Sequence, residues 1–164
     1  MTVSFLASDL GKWDQLEGAP DALVLPFFSD ERPLRGAAGL CDWRLCGRLS
    51  RLLASGRVHG KWGETTLYPP GRRLPFSRLV LVGLGPADRF DERAATEAAK
   101  LIGDKMRKLN APRYGLVPPG RSTGRLSARR ALEIFLSEGG EGDVLVVESP
   151  AGQKEAAELA RQRG

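Results

Sequence analysis

Apolar positions along the chain follow two rhythms. Residues 22–25, set between Asp21 and Pro26, and residues 78–82, leading into Gly83, are short runs rich in Val and Leu, the pattern of strands buried on both faces. Residues 2–6, 64–68, 114–117 and 143–147 add four more candidate strands. Pro69, Pro70, Gly71 and Pro75 have turn composition, so the strands at 64–68 and 78–82 are expected to be neighbours. The other rhythm is helical. Asp91 can cap a helix in which Ala94, Ala98, Leu101, Ile102, Met106 and Leu109 form one stripe, and Ser127 can cap another containing Leu132, Ile134, Phe135 and Leu136. Asp42 can likewise cap a helix to about Ser55, with Leu45, Leu49, Leu52 and Leu53 inward and Arg44, Arg48 and Arg51 as a basic ridge. A last helix is expected over residues 153–162. This alternation predicts an α/β layer fold, one domain over residues 1–164, with a largely parallel or mixed sheet covered by helices on both faces.

Charge changes the picture locally. There are 25 Lys and Arg against 20 Asp and Glu, a net charge of +5, modest for a dedicated nucleic-acid binder. Yet residues 105–130 hold eight basic side chains and no acidic one, while carboxylates gather toward the C-terminus. Cys41 and Cys46 lie five positions apart in one expected helix and so point to different faces, and a disulfide between them would need that helix broken. Together with the lack of a charged-then-apolar leader and of any apolar run of membrane length, this predicts a cytoplasmic protein with reduced thiols and no membrane partner.

Chemistry is sparse. Residues 34–40, with Gly36, Ala37, Ala38 and Gly39, lie between a buried strand and a helix start, where free backbone amides favour a phosphate or carboxylate. The spacing matches neither the P-loop nor the dinucleotide fingerprint, and two glycines simply turning the chain is the plainer reading. Gly83 and Gly85 close the strand at Val82 and form a candidate second lip; Gly120 to Gly124, with Arg121 and Arg125, form a third. His59 is the only histidine, and with Cys41 and Cys46 it lacks zinc-ligand spacing, so neither a metal site nor a serine triad is expected. Glu138, Glu141 and Asp143 read as solvated acids in a glycine-rich turn.

Four segments carry a resemblance: residues 21–28 (DALVLPFF), 34–42 (LRGAAGLCD), 55–64 (SGRVHGKWGE) and 79–85 (LVLVGLG). Through them the chain resembles the N-terminal domain of the leucyl (cytosol) aminopeptidase family over about its first two thirds. The resemblance implies a macro-domain-like mixed sheet between helices, whose relatives bind ADP-ribose through a glycine-rich loop. It also implies that peptidase chemistry resides in a separate C-terminal domain holding two metals, so no catalytic residue, metal or cofactor is expected among these residues. Against ADP-ribose-binding macro domains, Gly36 to Gly39 resembles the diphosphate loop, but Pro26 and Phe27 stand where an asparagine pair usually follows the strand.

Three functions follow as expectations. The first is a stand-alone, non-catalytic module acting in protein assembly or partner binding. The second is recognition of a nucleotide or ADP-ribose-like anion by Gly36, Ala37, Ala38 and Gly39, with Gly83 and Gly85 opposite. The third is DNA binding through the basic segment, with Arg121, Arg125, Arg129 and Arg130 as contacts, in which case affinity should fall steeply with salt.

Overall fold

The computed structural model describes residues 1–163. Six strands, β1 (Thr2–Ala7), β2 (Ala22–Phe27), β3 (Thr65–Tyr68), β4 (Arg78–Gly83), β5 (Arg113–Leu116) and β6 (Asp143–Glu148), form one sheet in the order β1-β6-β5-β2-β4-β3. All neighbours are parallel except β3, which closes one edge antiparallel to β4 across the proline-rich turn. The sheet is therefore mixed, and the two strands expected to be neighbours are.

The buried strands divide their side chains between two cores, as a period of two dictates. Leu23, Leu25, Leu79, Leu81, Leu145 and Val147 face a layer made by α1 (Leu10–Asp14), α2 (Gly36–Arg44) and α3 (Arg48–Ala54), with Trp13 fully enclosed. Ala22, Val24, Val80, Val82, Val144 and Val146 face α4 (Glu92–Lys108), α5 (Ala128–Glu138) and α6 (Pro150–Gln162). Filling the second core with side chains such as Ile102, Met106 and Phe135 contributes roughly 1.5–3 kcal/mol apiece at full burial.

Caps at three helix starts are local and follow the sequence. Asp91 accepts from Ala94 N and Ser127 from Arg130 N; Ser149 accepts from Gly152 N, so α6 begins at Pro150, three residues ahead of the expected start. The expected helix from Asp42 to Ser55 is instead two. Residues 36–44 are already helical, the chain turns at Cys46 and Gly47, both with positive φ, and α3 starts at Arg48. Asp42 does cap, but from within α2: its Oδ1 accepts from Leu49 N (2.9 Å) and Ser50 N (3.1 Å) of α3. The break also shortens the basic ridge, because Arg44 ends one helix and pairs with Asp14 (2.8 Å) while Arg48 and Arg51 stay together on the next.

Candidate functional site

Parallel strands of alternating α/β folds gather their following loops at one end of the sheet, and ligands of such folds bind there. Residues 28–35 after β2, 117–127 after β5 and the junction of β6 with α6 meet at that end here, with Ser8 after β1 and Ala87 after β4 beside them. The first is shaped by Glu31, 5% exposed, whose Oε2 accepts from Arg35 N (2.9 Å) and Oε1 from Phe28 N (3.4 Å). Burial raises the Glu31 pKa, and the two backbone bonds and nearby Arg35 and Arg32 only partly oppose it. The carboxylate thus staples the loop whose far end becomes the first turn of α2.

The glycine-bearing segment expected as a loop is that first turn. Gly36 has φ of +57°, and a Cβ there would come 3.0 Å from the Ser122 Cβ, so the loops after β2 and β5 touch at this point. Gly39 is needed for packing, since a Cβ would sit 2.5 Å from the Leu34 carbonyl oxygen. Ala37 and Ala38, on the inner face of α2, are buried against the core.

Either side of the Gly36–Ser122 contact lies a small recess. One, about 160 Å³, is lined by Ser8, Gly36, Ala37, Arg121, Glu148 and Ser149 among others. Glu148 is 6% exposed; its Oε2 accepts from Arg121 Nε (2.8 Å), and its Oε1 from Ser149 N (2.8 Å) and Ser149 Oγ (3.1 Å). The other, about 240 Å³, has Phe28, Asp30, Glu31, Arg32, Arg35, Ala87, Thr123 and Arg125 around it, and the buried Thr123 hydroxyl oxygen has no partner. Neither reaches the roughly 300 Å³ at which small-molecule pockets begin.

The expected groups therefore separate. Gly36 and Ala37 meet Arg121 in the smaller recess, and Arg125 edges the larger. Gly83 and Gly85 join neither recess: a Cβ on Gly83 would overlap the Lys61 carbonyl oxygen, and Gly85 exchanges backbone bonds with Gly60 (2.9 Å) and Ser29 (2.9 Å). That lip is a packed seam between the 60–64 turn and the end of β4. Arg129 and Arg130 stand on α5 with carboxylate partners, Glu158 for the first and Glu92 and Glu133 for the second. His59 pairs through Nδ1 with Glu64 (3.0 Å). Burial works to raise the Glu64 carboxyl, but the bonds from Gly60 N, His59 N and the His59 ring outweigh it and hold the group below its usual value. Among the described residues no cluster of three or more His, Cys, Asp or Glu side chains could hold a metal, and no helix is long and apolar enough to cross a membrane.

Sequence reasoning missed Glu31, Glu148 and Ser149. A signal existed for the last two: an acid ending the apolar run of β6, followed by Ser-Pro, the signature of a capped helix start. Other hollows are larger. One of about 830 Å³ sits at the opposite end of the sheet beside Met106, Asn110 and Gly142. Another, about 650 Å³, starts at Pro33 and Leu34 of the loop after β2, runs along the outside of α2 and is edged by Trp43, which is 74% exposed.

Comparison with known proteins fits this geometry. The fold resembles solved macrodomains: that of Oceanobacillus iheyensis with MES bound (TM-score 0.67, 12% identity, 98% of this chain and 90% of that one) and that of Mycobacterium tuberculosis DarG (TM-score 0.65, 15% identity, 91% and 98%). A tomato leucine aminopeptidase mutant matches with a TM-score of 0.61 at 14% identity, over 96% of this chain and 35% of that one. At such identities the likeness is one of fold. In sequence, a probable cytosol aminopeptidase of Burkholderia mallei (strain SAVP1) is 34% identical over 113 residues, and one of Burkholderia orbicola (strain MC0-3) is 38% identical over 84. Those stretches are 66% and 51% of this chain, but only 22% and 16% of the relatives' own length. Residues 24–139 match the model of the cytosol aminopeptidase family, N-terminal domain, and the chain belongs to that family through this domain.

Proposed function

We propose that this domain is a non-catalytic module acting in protein assembly or partner binding. The observation that supports it most is Trp43, a large indole left 74% exposed at the edge of a 650 Å³ hollow. Exposed aromatic residues beside concave surface are the usual anchors of protein contacts. The small recesses at the ligand end of the sheet agree, because they leave little room for a substrate. The test is solution mass across micromolar concentrations, by light scattering, with Trp43→Ser beside the wild type. The expected result is a mass above the monomer, or a defined complex with a partner, lost in the variant while stability changes by less than about 0.5 kcal/mol. A chain that stays monomeric throughout and retains nothing from extract ends this reading.

A second reading, recognition of a nucleotide or ADP-ribose-like anion, draws on Arg32, Arg35 and Arg125 around the larger recess and on fold neighbours such as the Oceanobacillus iheyensis macrodomain with ADP. DNA binding through the segment from Lys105 to Arg130 has less behind it, since Arg121, Arg129 and Arg130 already face carboxylates. Calorimetry with ADP-ribose, and duplex retention at low and high salt, test the two in turn.

A further inference from the structure

We propose that Glu148 is an internal occupant of the crevice, a carboxylate that takes the place and the hydrogen bonds of an external phosphate-bearing anion and so keeps the site shut. The inference rests on the first reading above, in which the small recesses at this end of the sheet leave little room for a substrate, and it supplies a cause.

A charged group this deep is costly unless every oxygen is engaged. Glu148, 6% exposed, is engaged by the donors a bound anion would use: the Arg121 guanidinium, the Ser149 hydroxyl, and the Ser149 amide where α6 begins. Arg121 belongs to the loop after β5, so the same pair also ties that loop down beside Gly36. A second observation, separate from these bonds, shows how the neighbouring helix makes room. Gly152 lies in the first turn of α6, and a Cβ on it would overlap the Glu148 carboxyl and Cγ. The missing methyl is the space in which the carboxylate is housed.

Two substitutions therefore empty the site by different routes. Glu148→Ala removes the carboxylate and frees Arg121. Gly152→Ala leaves every charge in place and displaces the flexible end of Glu148, while favouring helix at its own position. Titration calorimetry with inorganic pyrophosphate and with ADP-ribose should give no heat for the wild type and saturable binding for Glu148→Ala, at least about tenfold above any wild-type affinity. Gly152→Ala should bind more weakly than Glu148→Ala but measurably. Glu148→Ala combined with Arg121→Ala should lose the gain, because the anion then has no cation to meet. Pyrophosphate binding equal to ADP-ribose binding would mark the gain as one of phosphate alone.

Wild-type binding as tight as that of Glu148→Ala overturns the proposal, as does the absence of heat with folded Gly152→Ala and folded Glu148→Ala. Should Glu148→Ala fail to fold, Gly152→Ala decides alone. Solution mass on the same samples reads the assembly function separately: a wild type that stays monomeric and retains nothing from extract, but whose Glu148→Ala variant gains pyrophosphate, would remove the assembly reading and keep this one.

Discussion

Glu31 and Glu148 are both almost wholly buried, at the same end of the sheet, yet they are held in different ways. Glu31 is bound by two backbone amides, from Phe28 and Arg35, and by no cationic side chain. Glu148 is bound by the guanidinium of Arg121 and by the capping residue of the next helix. The first arrangement fixes a backbone path, because removing the acid strands two amides that cannot move far. The second fixes a side chain over a space, because Arg121, about a quarter exposed, can swing back to water when its partner goes. Burial alone does not tell a structural acid from one that holds a site closed. The identity of the donors does.

Substitution can break this contrast most sharply at Glu31. Glu31→Ala should destabilise the fold by about 3 kcal/mol, read from urea midpoints, since it leaves the buried Phe28 amide and the part-buried Arg35 amide unsatisfied and loosens the entry to α2. Glu148→Ala should cost less, about 1 kcal/mol, in the same measurement. Equal costs would erase the distinction between staple and plug.

The smallest effect is one of pH. Glu31 binds its proton more tightly in the folded than in the unfolded chain, so its carboxyl titrates above the ordinary 4.5 only when folded. The folded state then holds more protons as pH rises through that value, and the wild type loses stability toward neutral pH until Glu31 is ionised in both states. Glu31→Gln has no such loss. Its stability relative to the wild type should rise as pH climbs from the ordinary carboxylate value of 4.5 until Glu31 is ionised in the folded chain, and a flat difference would mean that burial of the charge is well compensated.

What the sequence disclosed, it disclosed where the cause is local. The caps Asp91 and Ser127, the stripe through Ala98, Ile102 and Met106, and the Val and Leu runs of β2 and β4 are decided within a few residues, and each formed as expected. The broken helix was hidden because its cause is not local. Gly36 and Gly39 read as loop by propensity, but one is fitted to Ser122 and the other to Leu34, and both serve a helix. Asp42 carried a correct capping signal attached to the wrong helix, since its partners Leu49 and Ser50 lie beyond a turn at Cys46 and Gly47. The pairing of Glu148 with Arg121 spans 27 positions and depends on β5 and β6 lying side by side. No window along the chain contains both.

The break between α2 and α3 also leaves the two thiols in unlike surroundings. Cys41 is enclosed in the core, its thiol pushed up to about 12 by burial, whereas Cys46 is exposed just past the end of the same helix. A maleimide should therefore modify one sulfur within the mixing time and reach the other only as fast as the α2 layer lifts from the sheet. The molecule carries its own clock for that opening, and no dye or engineered label is required to read it.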